Sequence, residues 1–505
     1  MPDRWPRRAD RRAEVTIVVP AHNVGRYLGA CLDSLRAQTE WARCLAIVVD
    51  DGSVDDTGEV GARYAALDSR IQCLTQRNGG PGPGSARNHG LRRVATRFVM
   101  FVDGDDELTP RAVELLLGAV TEDDLDLAIG ATEQFPIGRT WPWSGYFDQG
   151  ARSVTNLDEV PLLVHDARTC NKLYRTRALR ASGLRFGERM HFEDALVTVP
   201  LMLRQERLGL VGDAVHRYRK RAEGGSIMDA HFTRLENYWD HLAVVERLAR
   251  LAPRLPPRRR PVLQSFLVRS FQGFVRRAPS ALPPGRREEF FARARRALSG
   301  ADPDVVLGAT RDASERAGFV TMMENDVASF LDLPRLTRRL EAYRGDLYLA
   351  VPTSSDATHA LLRTGSTRAW ADSLEADTTG VTFRLRLRIQ GAHDLDQALE
   401  RVVLRGLRDD RPVFEVPVQL ALKDAAGAQH TARITVPREA LGTGETLLRL
   451  GFETATGRTD RWVRLPRDTV AEGPVRLAQD WVGLTDHDGR AALRAGSVRD
   501  DQPAS

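Results

Sequence analysis

From Glu14 to about residue 130, short apolar runs alternate with amphipathic stretches, and this alternation constrains the fold more than any other feature of the chain. The runs EVTIVVP (14–20), CLAIVVD (44–50), RIQCLTQ (70–76), RFVMFVD (97–103) and LDLAIG (125–130) have the continuous apolar character of strands buried on both faces. Between them, residues 25–38, 56–67, 84–95 and 110–120 have helical period. Such alternation predicts an α/β fold, a mostly parallel sheet with right-handed crossovers flanked by helices. Ligands on such sheets gather at the carboxyl ends of the strands, where this chain places Asp50 and Asp51 after the second run and Asp103 and Asp105 after the fourth.

The texture then changes twice. Residues 231–344 become helical in period and Arg-rich; the stretch 247–300 holds fourteen Arg against Glu288 and Glu289, or +12, while the whole 505-residue chain carries only +5. After residue 345, runs such as GVTFRLRLRIQG, HTARITVP and TLLRLGFETA alternate apolar and polar residues between turns, which predicts an antiparallel β-sandwich. The expected organisation is a basic tail (1–13), an α/β domain (14–230), an Arg-rich helical connector (231–344), an Ig-like β-sandwich (345–490) and a second tail (491–505). Hydrophobic residues at 42% suffice for real cores and exclude a mainly disordered chain.

Only Lys172, Lys220 and Lys423 are lysines, so 73 − 3 = 70 of the cations are Arg, a bias expected of a GC-rich genome. The Arg-rich connector reads either as a solvated helical face or as a surface for an anionic polymer or anionic membrane. It lacks interleaved aromatics and any recognisable nucleic-acid module, so nucleic acid is not an expected partner. The four cysteines fall in no metal-ligand spacing and suit a reducing compartment. The opening MPDRWPRRADRRAE has no apolar core of a signal peptide, and no apolar run approaches ~18–20 residues; the expected location is cytoplasmic, with peripheral contact at the inner face of the membrane.

Four blocks carry chemistry. VVDDGSVDDTG (48–58) ends a buried strand in acids able to read a nucleobase or ribose, although Asp55 or Asp56 could instead cap the next helix and Asp51 close the turn. VMFVDGDDEL (99–108) packs acids so densely that a cation must compensate them, which suits Mg²⁺ or Mn²⁺ bridging to phosphate oxygens. QRNGGPGPGSARNHGL (76–91) allows close approach of backbone to a ligand, with Arg87 on the first turn of the following helix. It follows the third strand; the first is followed by PAHNVG (20–25), so a dinucleotide-binding fingerprint is not expected. In GLRFGERMHFEDALVTVPLMLR (183–204), Glu193 and Asp194 precede an apolar helix, either as its cap or as a general base.

Together, VTIVVPAHNVGRYLGACLDSLRAQT, VVDDGSVDDT, NGGPGPGSARNHGL, FVDGDDEL, NKLYRTRAL, FEDA and YRKRAEGGSIM, in this order, resemble glycosyltransferase family 2, inverting enzymes of GT-A fold that use nucleotide-diphosphate sugars. The resemblance implies that Pro20, Asn23, Asp50 and Asp51 hold base and ribose, and that Asn78 and Arg87 help bind the nucleotide. It implies that Asp103 contacts ribose or sugar and shares the divalent metal (Mn²⁺ or Mg²⁺) with Asp105. Asp194, with Glu193, is the implied catalytic base, and Arg219 and Arg221 belong to a segment that closes over the diphosphate. His22 stands where the family usually has Tyr. A catalytic domain, helical connector and C-terminal β-sandwich further resemble bacterial wall teichoic acid glycosyltransferases. That likeness implies a UDP-sugar donor, an anionic or glycan polymer acceptor and homo-oligomerisation through the β domain. A non-catalytic carbohydrate-binding or assembly protein on the same scaffold is the alternative.

Overall fold

The computed structural model describes residues 12–136, 141–148, 150–221, 231–298 and 300–343, and from 346 to 497 all but 365–366, 377–379, 390–400, 409–410, 420, 423–429, 442–443, 455–456, 465–474, 478–479 and 488–489. Most of the expected N-terminal tail and the AEGGSIM end of the last motif lie outside the described residues.

The alternating region forms β1 (Val15–Ala21), α1 (Gly25–Arg36), β2 (Cys44–Asp50), α2 (Thr57–Leu67), β3 (Ile71–Thr75), α3 (Gly84–Arg93), β4 (Phe98–Phe101), β5 (Glu107–Leu108), α4 (Ala112–Glu122) and β6 (Leu127–Phe135). Then come β7 (Arg152–Thr155), β8 (Lys172–Arg175), α5 (Thr176–Ala181), α6 (Ala195–Arg204) and β9 (Leu208–Arg219). Every residue of β1 and β2 is buried, as their apolar, β-branched runs require. Helix α1 buries Leu28, Cys31, Leu32 and Leu35, one stripe at helical spacing. At about 1.5–3 kcal/mol for each buried leucine, this burial outweighs the absence of an acidic first turn or a side-chain cap.

Strand order in the sheet is β3-β2-β1-β4-β8-β6-β9-β5, with β7 also on β9. The expected parallel arrangement holds for β1 with β2 and β4, and for β2 with β3. It does not hold across the whole sheet: β8 lies antiparallel to both β4 and β6, and β5 and β7 antiparallel to β9. Among the described residues no helix long enough to return the chain separates β6 from β8, and β8 enters the sheet reversed. Edge strand β3, expected to be buried on both faces, is largely only half-buried.

Two compact units emerge: Met1–Phe271 with Ala292–Leu298, and Gln272–Phe291 with Ser299–Ser505. The expected separate connector is therefore divided. Helix α7 (Leu235–Ala249) belongs to the first unit, and the boundary falls within α8 (Arg260–Ala281). Tyr238, Leu242, Val244, Val245 and Leu248 of α7 are buried, an apolar face the sequence assigned to no partner. The +12 stretch is not an open cationic strip. Arg258 pairs with Asp158 and Glu206, Arg259 with Asp158, Arg286 with Glu289 and Arg293 with Glu246. Arg260, Arg277 and Arg287 donate to the backbone carbonyls of Leu255, Gly273 and Leu282.

In the second unit the β-rich region is built as expected from antiparallel pairs such as Thr367–Ala376 with Gly380–Ile389 and Arg401–Arg408 with Gly444–Thr454. One parallel pairing, of Thr367–Ala376 with Gly457–Arg464, joins its two halves. Arg405, 7% exposed, ties three strands through Glu415, Asp460 and Glu453. Within the expected C-terminal tail, Arg490–Ser497 is instead a strand paired with Asp480–His487 and with Gly444–Thr454, a register that buries Ala491. No helix among the described residues is long and apolar enough to cross a membrane.

Candidate active site

The ends of β1 and β2 form the first wall. His22 Nδ1–H donates to the Asp51 carbonyl at 2.9 Å, which leaves Nε2 as the acceptor facing Asn23 Nδ2 at 3.2 Å and Asn78 Nδ2 at 3.5 Å. Asn23 adopts φ +51°, and its Oδ1 accepts from Val54 N–H. Asp51, 4% exposed, holds the glycine-rich loop: its Oδ1 accepts from Gln76 Nε2 at 2.7 Å and from Gly79 N–H at 2.8 Å. Asp50 accepts from Ser53 N–H, and Asp55 from Thr57 at the start of α2 and from Gly25 N–H at the start of α1. Asp55 is thus a helix-end support, as the local reading allowed, and Asp50 supports the turn that reading gave to Asp51. Pro20 is buried in β1, and its carbonyl accepts from Gly104 N–H, so it fixes the acidic turn after β4.

That turn is where three distant segments converge. Arg87, 1% exposed, donates from Nη1 to Glu193 Oε1 at 2.5 Å and to Asp194 Oδ1, and from Nη2 to Asp103 Oδ1 at 2.6 Å. Its guanidinium also lies 5.5 Å from the Phe186 ring. Arg87, expected to help bind the nucleotide, is enclosed by three carboxylates, which without it would repel one another in a desolvated site. The side chains of Asp103 and Asp194 are 34% and 23% exposed, whereas Glu193 is 4% exposed. Asp194, not Glu193, is therefore the more solvent-accessible acid of the pair. Asp194 begins α6 but its side chain makes no capping bond; Oδ2 accepts instead from Thr169 N–H. Burial raises the Asp194 carboxyl above its ordinary range against the opposing pull of Arg87. Burial and the neighbouring Asp194 push Glu193 up to about 8.

One residue beyond Asp103's neighbour, Asp105 is raised to about 6 by burial and by Asp106. Its compensating cation is Arg221, at 2.6 Å; Arg219 pairs with Glu107 and donates from Nε to the Asp105 carbonyl. A hard-oxygen donor crowded by like charges and balanced by a single guanidinium fits Mg²⁺ or Mn²⁺. A second group, Asp106, Cys170 and His216, holds its potential ligand atoms within 4.8 Å of one another. It fits such a metal poorly. Asp106 Oδ2 accepts from His216 Nε2 at 2.9 Å and Oδ1 from Arg219 N–H, while burial keeps the Cys170 thiol protonated. Asp106 and His216 thereby join the acidic turn to β9.

Residues 16–183 match the model of glycosyl transferase family 2. Over these residues the chain is similar to glycosyltransferase family 2. The chain is 38% identical over 117 residues to glycosyltransferase GlyA of Streptococcus pneumoniae, covering 23% of this chain and 16% of that one. It is 27% identical over 262 residues to poly(ribitol-phosphate) beta-N-acetylglucosaminyltransferase TarS of Staphylococcus aureus, covering 51% and 44%. The chain thus spans less than half the length of these two relatives. In fold, it is similar to the S. aureus TarS crystal structure (TM-score 0.56, 17% identity, 96% of this chain and 85% of that one). It is also similar to TarS 1-349 in complex with UDP-GlcNAc (TM-score 0.55, 19% identity, 68% and 97%).

The glycine-rich loop packs against its own chain. A Cβ on Gly84 would lie 1.9 Å from the Gly187 carbonyl oxygen, and one on Gly82, at φ +79°, 2.1 Å from that of Met190. The close approach expected toward a ligand is made to the segment carrying Glu193 and Asp194. We expect Gly84→Ala to destabilise the domain by about 1–3 kcal/mol and to lower kcat through displacement of that segment, as read by thermal unfolding and initial rates.

The same segment is held from behind by α7, a contribution the sequence did not signal. Phe192, at φ +64°, packs against the His241 ring at a centroid distance of 4.7 Å, and His191 N–H donates to Asp240 Oδ2 at 3.0 Å. His241 in turn stacks on Phe271. Burial and the nearby His231 lower the His241 pKa to about 3. Its folded pKa lies below the unfolded 6.5, so it contributes stability above pH 6.5 that is lost as pH falls toward 3. His241→Phe should flatten the pH dependence of stability in this window by up to about 1.4 kcal/mol per pH unit, measured by denaturant unfolding at pH 7, 6 and 5.

Proposed function

We propose that the chain is a metal-dependent, inverting glycosyltransferase that moves a sugar from a UDP-sugar to a hydroxyl of a cell-envelope polymer, a polyol phosphate or polysaccharide. The observation that carries this reading is the Arg87 cluster, which joins Asp194 as an accessible carboxylate to Asp103 through one guanidinium. Asp194 takes the proton of the acceptor hydroxyl as its oxygen attacks the anomeric carbon from the face opposite the diphosphate. The bond between anomeric carbon and diphosphate oxygen breaks, UDP leaves, and the configuration inverts. Asp105, with Asp103, would hold a divalent cation that neutralises charge developing on the departing diphosphate. Asp51, Asn78 and His22 border the base and ribose end. Glu193 acts as a positioning residue, holding Arg87 from the buried side.

Support for the donor comes from the fold shared with TarS, solved with UDP-GlcNAc. Support for the acceptor class comes from relatives named for poly(ribitol-phosphate) and for minor teichoic acid biosynthesis. UDP release from a panel of UDP-sugars, with and without polyol-phosphate polymer and Mn²⁺, tests the reading. Turnover stimulated by both polymer and metal is the expected result. No turnover with any nucleotide sugar would favour the non-catalytic binding alternative.

A further inference from the structure

We propose that Arg221 stands in the cation's place on Asp105, and that donor binding is an exchange: the divalent metal displaces this guanidinium, which then turns to the donor's diphosphate. The inference deepens the proposed function and rests on its metal assignment at Asp105.

The acidic turn holds Asp103, Asp105, Asp106 and Glu107, and each has a distinct partner among the described residues. Asp103 is paired with Arg87, which is buried in the core of the site. Asp106 is bonded to His216 and to the backbone of Arg219. Glu107 is paired with Arg217 and Arg219, both within β9. Asp105 is the exception in kind. Arg221 reaches its Oδ2 from Nε at 2.8 Å and from Nη2 at 2.6 Å, and Arg221 lies beyond Arg219, the last residue of β9. Removing Arg87, Arg217 or Arg219 from its acid would disturb the core or the strand, whereas moving Arg221 breaks no strand pairing. The guanidiniums of Arg219 and Arg221 both lie 5.4 Å from the Tyr27 ring, so the segment leaves the sheet over a fixed aromatic support.

A dication on Asp105 cannot share the carboxylate with a guanidinium at contact distance without strong repulsion. A guanidinium released beside that carboxylate is well suited to a diphosphate, whose oxygens match its fork of donors. Metal and Arg221 therefore compete, while diphosphate draws Arg221 away and strengthens metal binding. By linkage, metal strengthens diphosphate binding by the same factor.

Mn²⁺ binding to the full chain, followed by electron paramagnetic resonance with and without UDP, tests the exchange independently of turnover. Wild type should bind Mn²⁺ weakly alone and about tenfold or more tightly with UDP. Arg221→Gln should bind Mn²⁺ alone about tenfold more tightly than wild type and gain less from UDP than wild type does, with Arg221→Lys intermediate. Asp105→Asn should abolish Mn²⁺ binding in either background. If Arg221→Gln binds Mn²⁺ alone no more tightly than wild type while Asp105→Asn abolishes binding, the exchange is wrong and the metal assignment stands. If Asp105→Asn binds Mn²⁺ like wild type, the metal assignment falls and the exchange with it.

Discussion

Arg87→Met is expected to lower kcat/KM by about 10³-fold or more and to destabilise the first unit by about 3–5 kcal/mol. The guanidinium is 1% exposed and is the common partner of Asp103, Glu193 and Asp194, so its removal leaves three acids at close range in a poorly solvated site. Protons would be taken up to relieve the repulsion, and Asp194 would lose its charge and its orientation together. A melting temperature lower by on the order of 10 °C should accompany the loss of activity. Arg87→Lys should recover part of the stability but little activity, because one ammonium cannot span three carboxylates set by a planar fork. Unchanged thermal stability in Arg87→Met would show that the cluster does not hold these segments together.

Asp194→Asn should lower kcat by about 10²–10⁴-fold with the KM for the nucleotide sugar nearly unchanged. The effect on stability should have the opposite character to that of Arg87→Met. The Asp194 carboxyl is raised above its ordinary range because burial disfavours its charged form, so a neutral amide should leave the unit equally or more stable. The wild-type rate should fall on the acid side as Asp194 is protonated, at a pH above the usual aspartate range, and the variant's residual rate should lack that limb. Glu193→Gln, whose side chain is buried behind Arg87, should cost far less in kcat. Equal losses in the two variants would transfer the base assignment to Glu193 or deny it to both.

The acidic ends of β2 and β4, the helices between the strands and the order of the motifs were legible because each is local. Burial period, turn residues and acids following an apolar run all lie within a dozen positions. Asp50 and Pro20 show the limit of that legibility. The resemblance assigns them to the nucleotide, and in the structure Asp50 also bonds the backbone of the turn between β2 and α2, and Pro20 braces the turn after β4. A carboxylate at the mouth of a sheet has the same sequence signature whether it faces a nucleotide or its own chain.

By itself the sequence determined an α/β half, an antiparallel β half and the carboxylates and arginines that the proposed chemistry would use, since these depend on periodicity and on which side chains are present. The tertiary structure decided which of them face one another. It set β8 reversed between β4 and β6, placed Arg87 against acids 106 and 107 positions away, turned Glu193 inward and Asp194 outward, and brought α7 behind the segment that carries them. The reason is physical: the pairing of buried charges depends on which partners share a desolvated space, and partners so far apart along the chain leave no periodic trace in it.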